Sequence, residues 1–442
     1  MKVFGVIKVS AFQAICWGFL ALTVLGTVLL MLPVSTRGPG GASFADSLFT
    51  ATSAVCVTGL IVRDTAAYWS PFGQAVILLL IQVGGMGVIT MAISAAYLTG
   101  RKIGLAQRSL LQESISAPRL GGVIRLTGFI IKTALITQAA GAVLMAPVFC
   151  RDFGLGRGLW YALFHSVSAF CNAGFDLMGV RGEFSSLTGY IGSPLINLTA
   201  VVLITVGGLG FMTWDDIRRH GPELKKYSLQ SKLVLITGGV LLFVPAVLFF
   251  FTEFASLPLK ERLLASLFQS ATARTAGFNT ADLGTMSEGG KLLMIALMLT
   301  GGAPGSTAGG MKTTTLAVLI TACAAVFRRR DSIEALGRRI PDSVLRHGAA
   351  IFLMYMALFL ISGAAISAME SLPLLTALFE TASAIGTVGL TLGVTPGLGL
   401  ASRGILIALM FFGRVGGLTI IYSFSNPGPS AGALPPERIT VG

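Results

Sequence analysis

Hydrophobic residues occur along this chain in long continuous runs, and not in the short alternations that build the core of a soluble protein. Eight of these runs have about 20 residues or more, which is enough to cross a hydrocarbon layer of about 30 Å. They cover residues 11–34, 72–99, 122–149, 190–214, 231–252, 289–327, 349–369 and 401–424. The pattern therefore predicts eight membrane-spanning helices.

A shorter apolar segment lies between each odd-numbered run and the run that follows it. The four segments are SLFTATSAVCVTGL (47–60), ALFHSVSAFCNAGF (162–175), SLFQSATARTAGF (266–278) and ALFETASAIGTVGL (377–390). Each contains Leu-Phe near its start, continues through small and hydroxyl residues, and ends in a glycine followed by Leu or Phe. These glycines are Gly59, Gly174, Gly277 and Gly389. The similarity predicts a fourfold internal repeat.

The short segments cannot span a bilayer. A helix over residues 43–55 would be about 20 Å long, so we expect each segment to enter the membrane as a half-helix and return as a loop. Irregular backbone at that depth is tolerated only where it is buried in protein or lines water. Glycine at the end of each half-helix permits positive φ, and a ring of backbone carbonyls can replace the hydration shell of a cation. The segments therefore predict a path for a dehydrated monovalent cation.

The even-numbered runs carry paired glycines, which taken singly favour nothing more than close helix packing. They occur in IQVGGMG (81–87), LITVGGLG (203–210), MLTGGAPGSTAGG (298–310) and FGRVGGL (412–418). The predicted fold is an all-α polytopic membrane protein in which helix, half-helix, turn and helix are repeated four times. The predicted repeats cover residues 1–100, 101–221, 222–330 and 331–425, followed by a tail over 426–442.

One stretch, GGAPGSTAGGMKTTT (301–315), resembles a phosphate-binding loop. The spacing of Gly305 and Gly310 fits that motif, but Met311 stands where the lysine is required and Lys312 comes one residue late. Apolar sequence on both sides places the stretch inside the membrane. We therefore expect an unwound intramembrane loop.

Composition supports a membrane protein and excludes a soluble one. The 442 residues are 54% hydrophobic and 12% charged, with a mean hydropathy of +0.81. The net charge of +13 does not indicate a nucleic-acid partner, because 15 Lys and Arg residues lie in the alternate loops 100–121, 215–232 and 328–346. This distribution follows the positive-inside rule and predicts that both termini are cytoplasmic.

Chemical motifs for other functions are missing from the sequence. The five cysteines form no CxxC pair, the three histidines form no HExxH, and no predicted span carries paired carboxylates or GxSxG. A membrane enzyme is therefore disfavoured. The alternative that stays open is a secondary transporter with broken helices, which would be built from two inverted repeats.

Two arginines fall inside predicted membrane segments, where a charge is costly and usually functional. Arg274 lies beside the third half-helix glycine, and we expect it to pair with Glu380 or Asp176 and brace the filter. Arg414 lies midway along the last run, where a cation facing the pore would act as a barrier or a gate.

The motifs SAVCVTGL, SAFCNAGFD, TARTAGFNT, SAIGTVGLT, GGAPGSTAGGMKT and FFGRVGGLT occur in this order over nearly the whole chain. Together they resemble the Trk/Ktr/HKT superfamily of potassium transporters. The lack of an extra helix pair before residue 11 makes the chain most similar to the Ktr-type membrane subunit. The resemblance implies four M1-P-M2 repeats around a pseudo-fourfold pore, with a glycine in every repeat associated with potassium selectivity.

The resemblance also implies the roles of particular residues. The filter would be formed by Val55, Cys56, Val57, Thr58, Gly59, Phe170, Cys171, Asn172, Ala173, Gly174, Ala273, Arg274, Thr275, Ala276, Gly277, Ile385, Gly386, Thr387, Val388 and Gly389. The gate below it would be formed by Gly301, Gly302, Ala303, Pro304, Gly305, Ser306, Thr307, Ala308, Gly309, Gly310, Lys312 and Arg414.

The same resemblance implies a homodimer in the cell inner (plasma) membrane, bound to a cytoplasmic ring of RCK-type nucleotide-binding regulatory subunits. Potassium would be the substrate, held by filter carbonyls, with sodium as a coupling or activating ion left open. No cofactor is expected on this chain. The second and third basic loops and the tail PERITVG (436–442) are the expected docking surfaces for the regulatory ring.

Overall fold

The computed structural model describes residues 10–88, 90–93, 104–115 and 121–424, together with two short antiparallel strands, β1 (Lys2–Val3) and β2 (Ile7–Lys8). The predicted tail over 426–442 lies outside the described residues, as does part of the first basic loop. The described chain is mostly helical, as predicted. A small hairpin of β3 (Ile333–Ala335) and β4 (Arg338–Ile340) is formed within the third basic loop.

Each of the four repeats contains a helix, a half-helix and a second helix, in the predicted order. We call the helix before the half-helix the outer helix and the helix after it the inner helix. Repeat one contains α1 (Ala11–Met31), α2 (Phe44–Val55) and α3 (Pro71–Met86), followed by α4 (Leu105–Ser114). Repeat two contains α5 (Val123–Phe153), α6 (Leu155–Cys171), α7 (Pro194–Gly208) and α8 (Phe211–His220). Repeat three contains α9 (Leu229–Phe251), α10 (Leu259–Thr272), α11 (Glu288–Leu299) and α12 (Thr313–Phe327). Repeat four contains α13 (Asp342–Glu370), α14 (Leu374–Gly386), α15 (Leu400–Val415) and α16 (Gly417–Phe424).

The outer helices and the inner helices differ in continuity. Among the described residues, α1, α5, α9 and α13 are each long and apolar enough to cross a membrane alone. The inner helices are interrupted: α7 meets α8 at 97° and α15 meets α16 at 92°, while α11 and α12 are separated by a loop. The bends occur at Gly210 (φ +84°) and Gly416 (φ +91°), where only glycine adopts the backbone conformation without strain. The spans over 190–214 and 401–424, which were predicted as continuous, are therefore broken, whereas the break within 289–327 agrees with the unwound loop expected over 301–315.

Large apolar side chains cover the outside of the outer helices. Phe243 and Val247 of α9 are 62% and 56% exposed, and Leu353 and Ile361 of α13 are 66% and 68% exposed. Such surfaces on a soluble protein would drive aggregation, whereas lipid tails cover them at no cost. The outer helices therefore face the bilayer.

The half-helices are buried inside this shell. Ser43 caps the start of α2, because its hydroxyl group accepts a hydrogen bond from the backbone N–H of Asp46 at 3.1 Å. The carboxylate of Asp46 is bound in turn by Arg63 at 2.9 Å and by Arg403 of α15 at 3.1 Å. These contacts tie the entrance of the first half-helix to the fourth repeat.

The tight turn between α5 and α6 requires a glycine at one position, which can be tested. A Cβ atom on Gly158 would lie 2.4 Å from the Cα atom of Cys150, whereas a Cβ atom on Gly156 would meet nothing within 4 Å. We expect Gly158→Ala to lower the free energy of unfolding by about 1–3 kcal/mol, because overpacking at a backbone contact cannot relax. Thermal unfolding of the purified protein in detergent measures the difference. Gly156→Ala is the matched control, and equal melting temperatures for the two variants would contradict the prediction.

Candidate functional site

Four glycines, one at the end of each half-helix segment, adopt the left-handed backbone conformation. The φ values are +90° at Gly59, +68° at Gly174, +83° at Gly277 and +95° at Gly389. A side chain would strain the backbone at every one of these positions. The sequence prediction that these glycines are needed for positive φ is confirmed.

The four glycines form a closed ring, which we call the glycine ring. A Cβ atom on each glycine would collide with the carbonyl oxygen just before the glycine of the next repeat. The distances are 2.4 Å from Gly59 to Ala173, 2.7 Å from Gly174 to Ala276, 2.3 Å from Gly277 to Val388, and 2.2 Å from Gly389 to Thr58. The contacts run from repeat one through two, three and four and back to one. The four repeats therefore surround a single axis in sequence order.

A second left-handed residue precedes each ring glycine by two positions. These residues are Val57 (φ +56°), Asn172 (φ +58°), Thr275 (φ +75°) and Thr387 (φ +52°). A β-branched or amide side chain at positive φ costs free energy, and such strain concentrates at functional sites. Backbone that alternates in handedness can turn successive carbonyl groups toward one side, and a ring of such groups can replace the hydration shell of a cation.

We call the five residues that end at each ring glycine the ring segments. They cover 55–59, 170–174, 273–277 and 385–389, and all their residues are buried except Arg274, which is partly buried. The structure therefore brings together all twenty residues that the sequence assigned to the filter. Cys56 and Cys171 are both fully buried within these segments. No cluster of metal-ligating His, Cys, Asp or Glu side chains is found in the described part of the chain.

One set of side chains behind the ring segments was not singled out from the sequence. In repeats one and four, the hydroxyl groups of Ser53 and Ser383 accept hydrogen bonds from the backbone N–H of Gly59 and Gly389, both at 3.0 Å. In repeats two and three, the equivalent hydroxyl groups donate to the carbonyl oxygen that follows the ring glycine. Ser168 donates to Phe175 at 2.7 Å, and Thr272 donates to Phe278 at 2.6 Å. A hydroxyl residue four positions after the Phe in every repeat was the available signal.

The paired glycines of the inner helices let the half-helices approach closely. A Cβ atom on Gly84 would lie 2.0 Å from the carbonyl oxygen of Val55, and one on Gly413 would lie 2.1 Å from that of Ile385. The same relation holds in repeat two, between Gly207 and Phe170 at 2.0 Å. These glycines therefore have the packing role that each pair suggested alone, and they fix the depth of the ring segments.

The loop 301–312 lies between α11 and α12 and contacts the ring segments of repeats two and four. The hydroxyl group of Thr307 donates to the carbonyl oxygen of Phe170 at 3.0 Å. A Cβ atom on Gly309 would lie 2.2 Å from Oγ1 of Thr387. Further contacts come from the bends of the neighbouring inner helices, as the backbone N–H of Phe211 donates to the carbonyl oxygen of Gly305 at 2.7 Å.

Two cationic side chains hold this loop. Arg414 donates from Nη1 to the carbonyl oxygen of Thr307 and from Nη2 to those of Gly84 and Gly85 at 2.6 and 2.8 Å. It thereby connects the loop to the inner helix of repeat one. Lys312 donates from Nζ to the carbonyl oxygen of Ala308 at 2.9 Å. The predicted gate residues are therefore brought together in one hydrogen-bonded unit that touches all four repeats.

The predicted ion pair of Arg274 is wrong. The carboxyl oxygens of Glu380 are occupied by other donors, and Asp176 accepts from the backbone N–H of Met178 at 2.8 Å. Nε of Arg274 has no hydrogen-bond partner in the described part of the chain, and Nη1 lies near Gly238 of α9. The side chain therefore lies against the outer helix of its own repeat and not against either carboxylate.

Comparison with known proteins is consistent with this geometry. The family described as "TrkH: Cation transport protein" matches residues 9–433. The chain is 38% identical to the potassium/sodium uptake protein NtpJ of Enterococcus hirae, over 98% of each chain. It is 37% identical to the Ktr system potassium uptake protein B of Bacillus subtilis, over 100% of this chain and 99% of the relative.

A solved structure has the same fold. The crystal structure of the potassium transporter TrkH from Vibrio parahaemolyticus superposes with a TM-score of 0.74 at 20% identity, covering 96% of this chain and 86% of that one. The matching family and relatives are transporters and not enzymes. The chain belongs to the TrkH family of cation transport proteins.

Proposed function

We propose that this protein takes up potassium ions across the cell membrane by passing them through the glycine ring. The closed cycle of contacts among Gly59, Gly174, Gly277 and Gly389 is the observation that carries the proposal. Carbonyl groups of the four ring segments would replace the hydration shell of the ion. Buried half-helices that end at the ring would add the partial negative charge of their C-termini.

The choice of potassium has support from two directions. A glycine in all four repeats is the arrangement that the resemblance associates with potassium selectivity. The names of both relatives given above include potassium, and one of them includes potassium and sodium. We further propose that sodium activates or is coupled to potassium uptake. Replacement of external sodium by choline is then expected to lower the rate of potassium uptake, and an unchanged rate would contradict this part.

We propose that the loop 301–312 with Arg414 is the gate. The loop rests on two opposite ring segments through Thr307 and Gly309, so ions leaving the ring would meet it directly. The positive charges of Arg414 and Lys312 add an electrostatic barrier to a cation. The described conformation would then be a closed one, and opening would require Arg414 to release Thr307.

We also propose a homodimer and a cytoplasmic ring of RCK-type nucleotide-binding subunits as partners. The relative from Bacillus subtilis is named as component B of a Ktr system, which fits a subunit that works with others. Basic residues at the ends of α8 and α12, such as Arg218 and Arg328, would then face the cytoplasm with both termini. The protein would lie in the plasma membrane, and any nucleotide would bind the partner and not this chain.

Growth of a bacterium without its own potassium uptake systems tests the proposal. Expression of this chain is expected to restore growth at low external potassium, and rubidium is expected to compete with potassium better than lithium does. A stronger effect is expected when a nucleotide-binding subunit of the Ktr type is expressed with it. Failure to restore growth, with the protein present in the membrane and the subunit co-expressed, would contradict the proposed function.

A further inference from the structure

Each half-helix carries a buried polar side chain directly after the Phe that occurs in all four repeats. The four residues are Thr50, His165, Gln269 and Glu380, and none is more than 1% exposed. Burial of a polar group inside a membrane protein costs free energy unless the group is hydrogen-bonded. A polar residue at the same position in all four repeats therefore needs a physical reason.

In repeat four the reason is a set of hydrogen bonds to the chain that leaves the ring. Oε1 of Glu380 accepts from the backbone N–H of Leu392 at 3.1 Å and from the hydroxyl group of Thr391 at 2.6 Å. Oε2 accepts from the hydroxyl group of Thr395 at 2.6 Å. One side chain in the half-helix thus fixes the residues that follow Gly389.

Repeat two uses a different side chain for the same bond. Nε2 of His165 accepts from the backbone N–H of Leu177 at 3.3 Å, while Nδ1 lies 2.7 Å from the carbonyl oxygen of Tyr161. Leu177 and Leu392 are equivalent, because each comes three residues after its ring glycine. The imidazole is packed against Phe149 at a ring-centroid distance of 5.0 Å, which fixes its orientation.

Repeats one and three lack this bond. Oγ1 of Thr50 has no hydrogen-bond partner, and neither Nε2 nor Oε1 of Gln269 has one in the described part of the chain. In the glycine ring, repeats two and four lie opposite each other, as do one and three. This bond therefore holds the outer ends of the ring segments along one diagonal, whereas the other diagonal has different contacts. In repeat one Arg63 binds Asp46 at 2.9 Å, and in repeat three the backbone N–H of Asn279 donates to the hydroxyl group of Ser186 at 3.2 Å.

We propose that His165 and Glu380 are positioning residues for ion selection. They fix the residues that follow two opposite ring glycines in the chain, and they prevent the displacement that would adapt the carbonyl groups to a smaller ion. This inference rests on the proposed function, since it assumes that the glycine ring selects the transported ion. Neither side chain touches the ion, so the effect is expected on discrimination between ions.

Glu380→Leu tests the proposal, with the potassium-to-sodium permeability ratio measured from reversal potentials in a planar bilayer. The variant keeps the bulk of the side chain and removes all three hydrogen bonds, so the ratio is expected to fall about tenfold. Glu380→Gln keeps an acceptor for Thr391 and Leu392, so this variant is expected to retain most of the permeability ratio of the unmodified chain. Thr50→Val is the matched control at the same position of repeat one, where no hydrogen bond is lost, and its ratio is expected to equal that of the unmodified chain.

A second variant protects the test against misfolding of Glu380→Leu. Thr395→Val removes one donor to the carboxyl group outside the ring, and a smaller fall in the ratio is expected. An unchanged ratio in both Glu380→Leu and Thr395→Val would overturn the proposal, as would a fall of equal size in Thr50→Val. A fall in Glu380→Gln as large as that in Glu380→Leu would also overturn it, because charge and not positioning would then be responsible.

The unmodified chain and Gly389→Ser in the same bilayer separate this proposal from the proposed function. If the unmodified chain does not distinguish potassium from sodium, the proposed function fails, and with it the premise of positioning. If it does distinguish them, and Gly389→Ser loses the distinction while Glu380→Leu keeps it, then only the positioning role fails.

Discussion

Gly389→Ser is expected to lower the potassium-to-sodium permeability ratio by about tenfold or more, which corresponds to about 1.4 kcal/mol or more of lost discrimination. The new Cβ atom would lie 2.2 Å from the carbonyl oxygen of Thr58 and 2.9 Å from Cα of Gly59. Real side chains do not tolerate these distances, so the ring segment of repeat one must move. A displaced carbonyl group coordinates potassium less well, so the preference for potassium over sodium falls.

A matched control separates the collision from backbone strain. Gly393 follows the same ring segment and has a φ of +88°, but a Cβ atom there would meet nothing within 4 Å. Gly393→Ser therefore carries the same cost of a side chain at positive φ without the contact to the ring. We expect its permeability ratio to equal that of the unmodified chain. An unchanged ratio in a folded Gly389→Ser variant would count against the ring as the selecting element.

Deletion of residues 303–309 is expected to raise potassium flux about tenfold or more in the absence of any regulatory subunit. The deletion removes Thr307 and Gly309, which contact the ring segments of repeats two and four, together with one of the three carbonyl oxygens that Arg414 binds. A cation leaving the ring would then find an open path, and no hydrogen bonds between the loop and the ring segments would have to break first.

The base of the loop makes this deletion feasible. The backbone N–H of Gly301 donates to the carbonyl oxygen of Met311 at 2.7 Å, and that of Thr313 donates to the carbonyl oxygen of Gly302 at 3.0 Å. The two ends are therefore adjacent, and α11 and α12 can be rejoined without being pulled apart. The permeability ratio is the internal control and is expected to stay constant, because the glycine ring is untouched. Loss of flux in a folded deletion variant would argue against a gate.

The fourfold repeat and the positions of the half-helices could be predicted from the sequence, because both are local patterns of apolar length. The half-helix expected over 43–55 begins at Phe44 and ends at Val55. The glycine ring could also be predicted, since positive φ leaves a signature in residue type. Its cyclic contacts support parallel repeats around an axis, whereas the alternative transporter would have two inverted repeats. The boundaries expected between the repeats remain predictions.

Features that depend on contacts between distant segments could not be predicted. The breaks at Gly210 and Gly416 are invisible in hydropathy, because apolar residues continue on both sides of each bend. The predicted partner of Arg274 was wrong, because charge complementarity alone does not determine the direction in which the side chain points. The depth of Arg414 in the membrane predicts a functional role, but its bond to the carbonyl oxygen of Thr307 required the folded structure.

The most direct measurement is cation flux into liposomes that contain the purified chain, with gradients of potassium, rubidium, sodium and lithium compared under a clamped potential. We predict flux of potassium and rubidium above that of sodium and lithium, and a larger flux in the same order after deletion of 303–309. Equal flux of all four ions, or no cation flux even with the loop deleted, would contradict potassium uptake through the glycine ring.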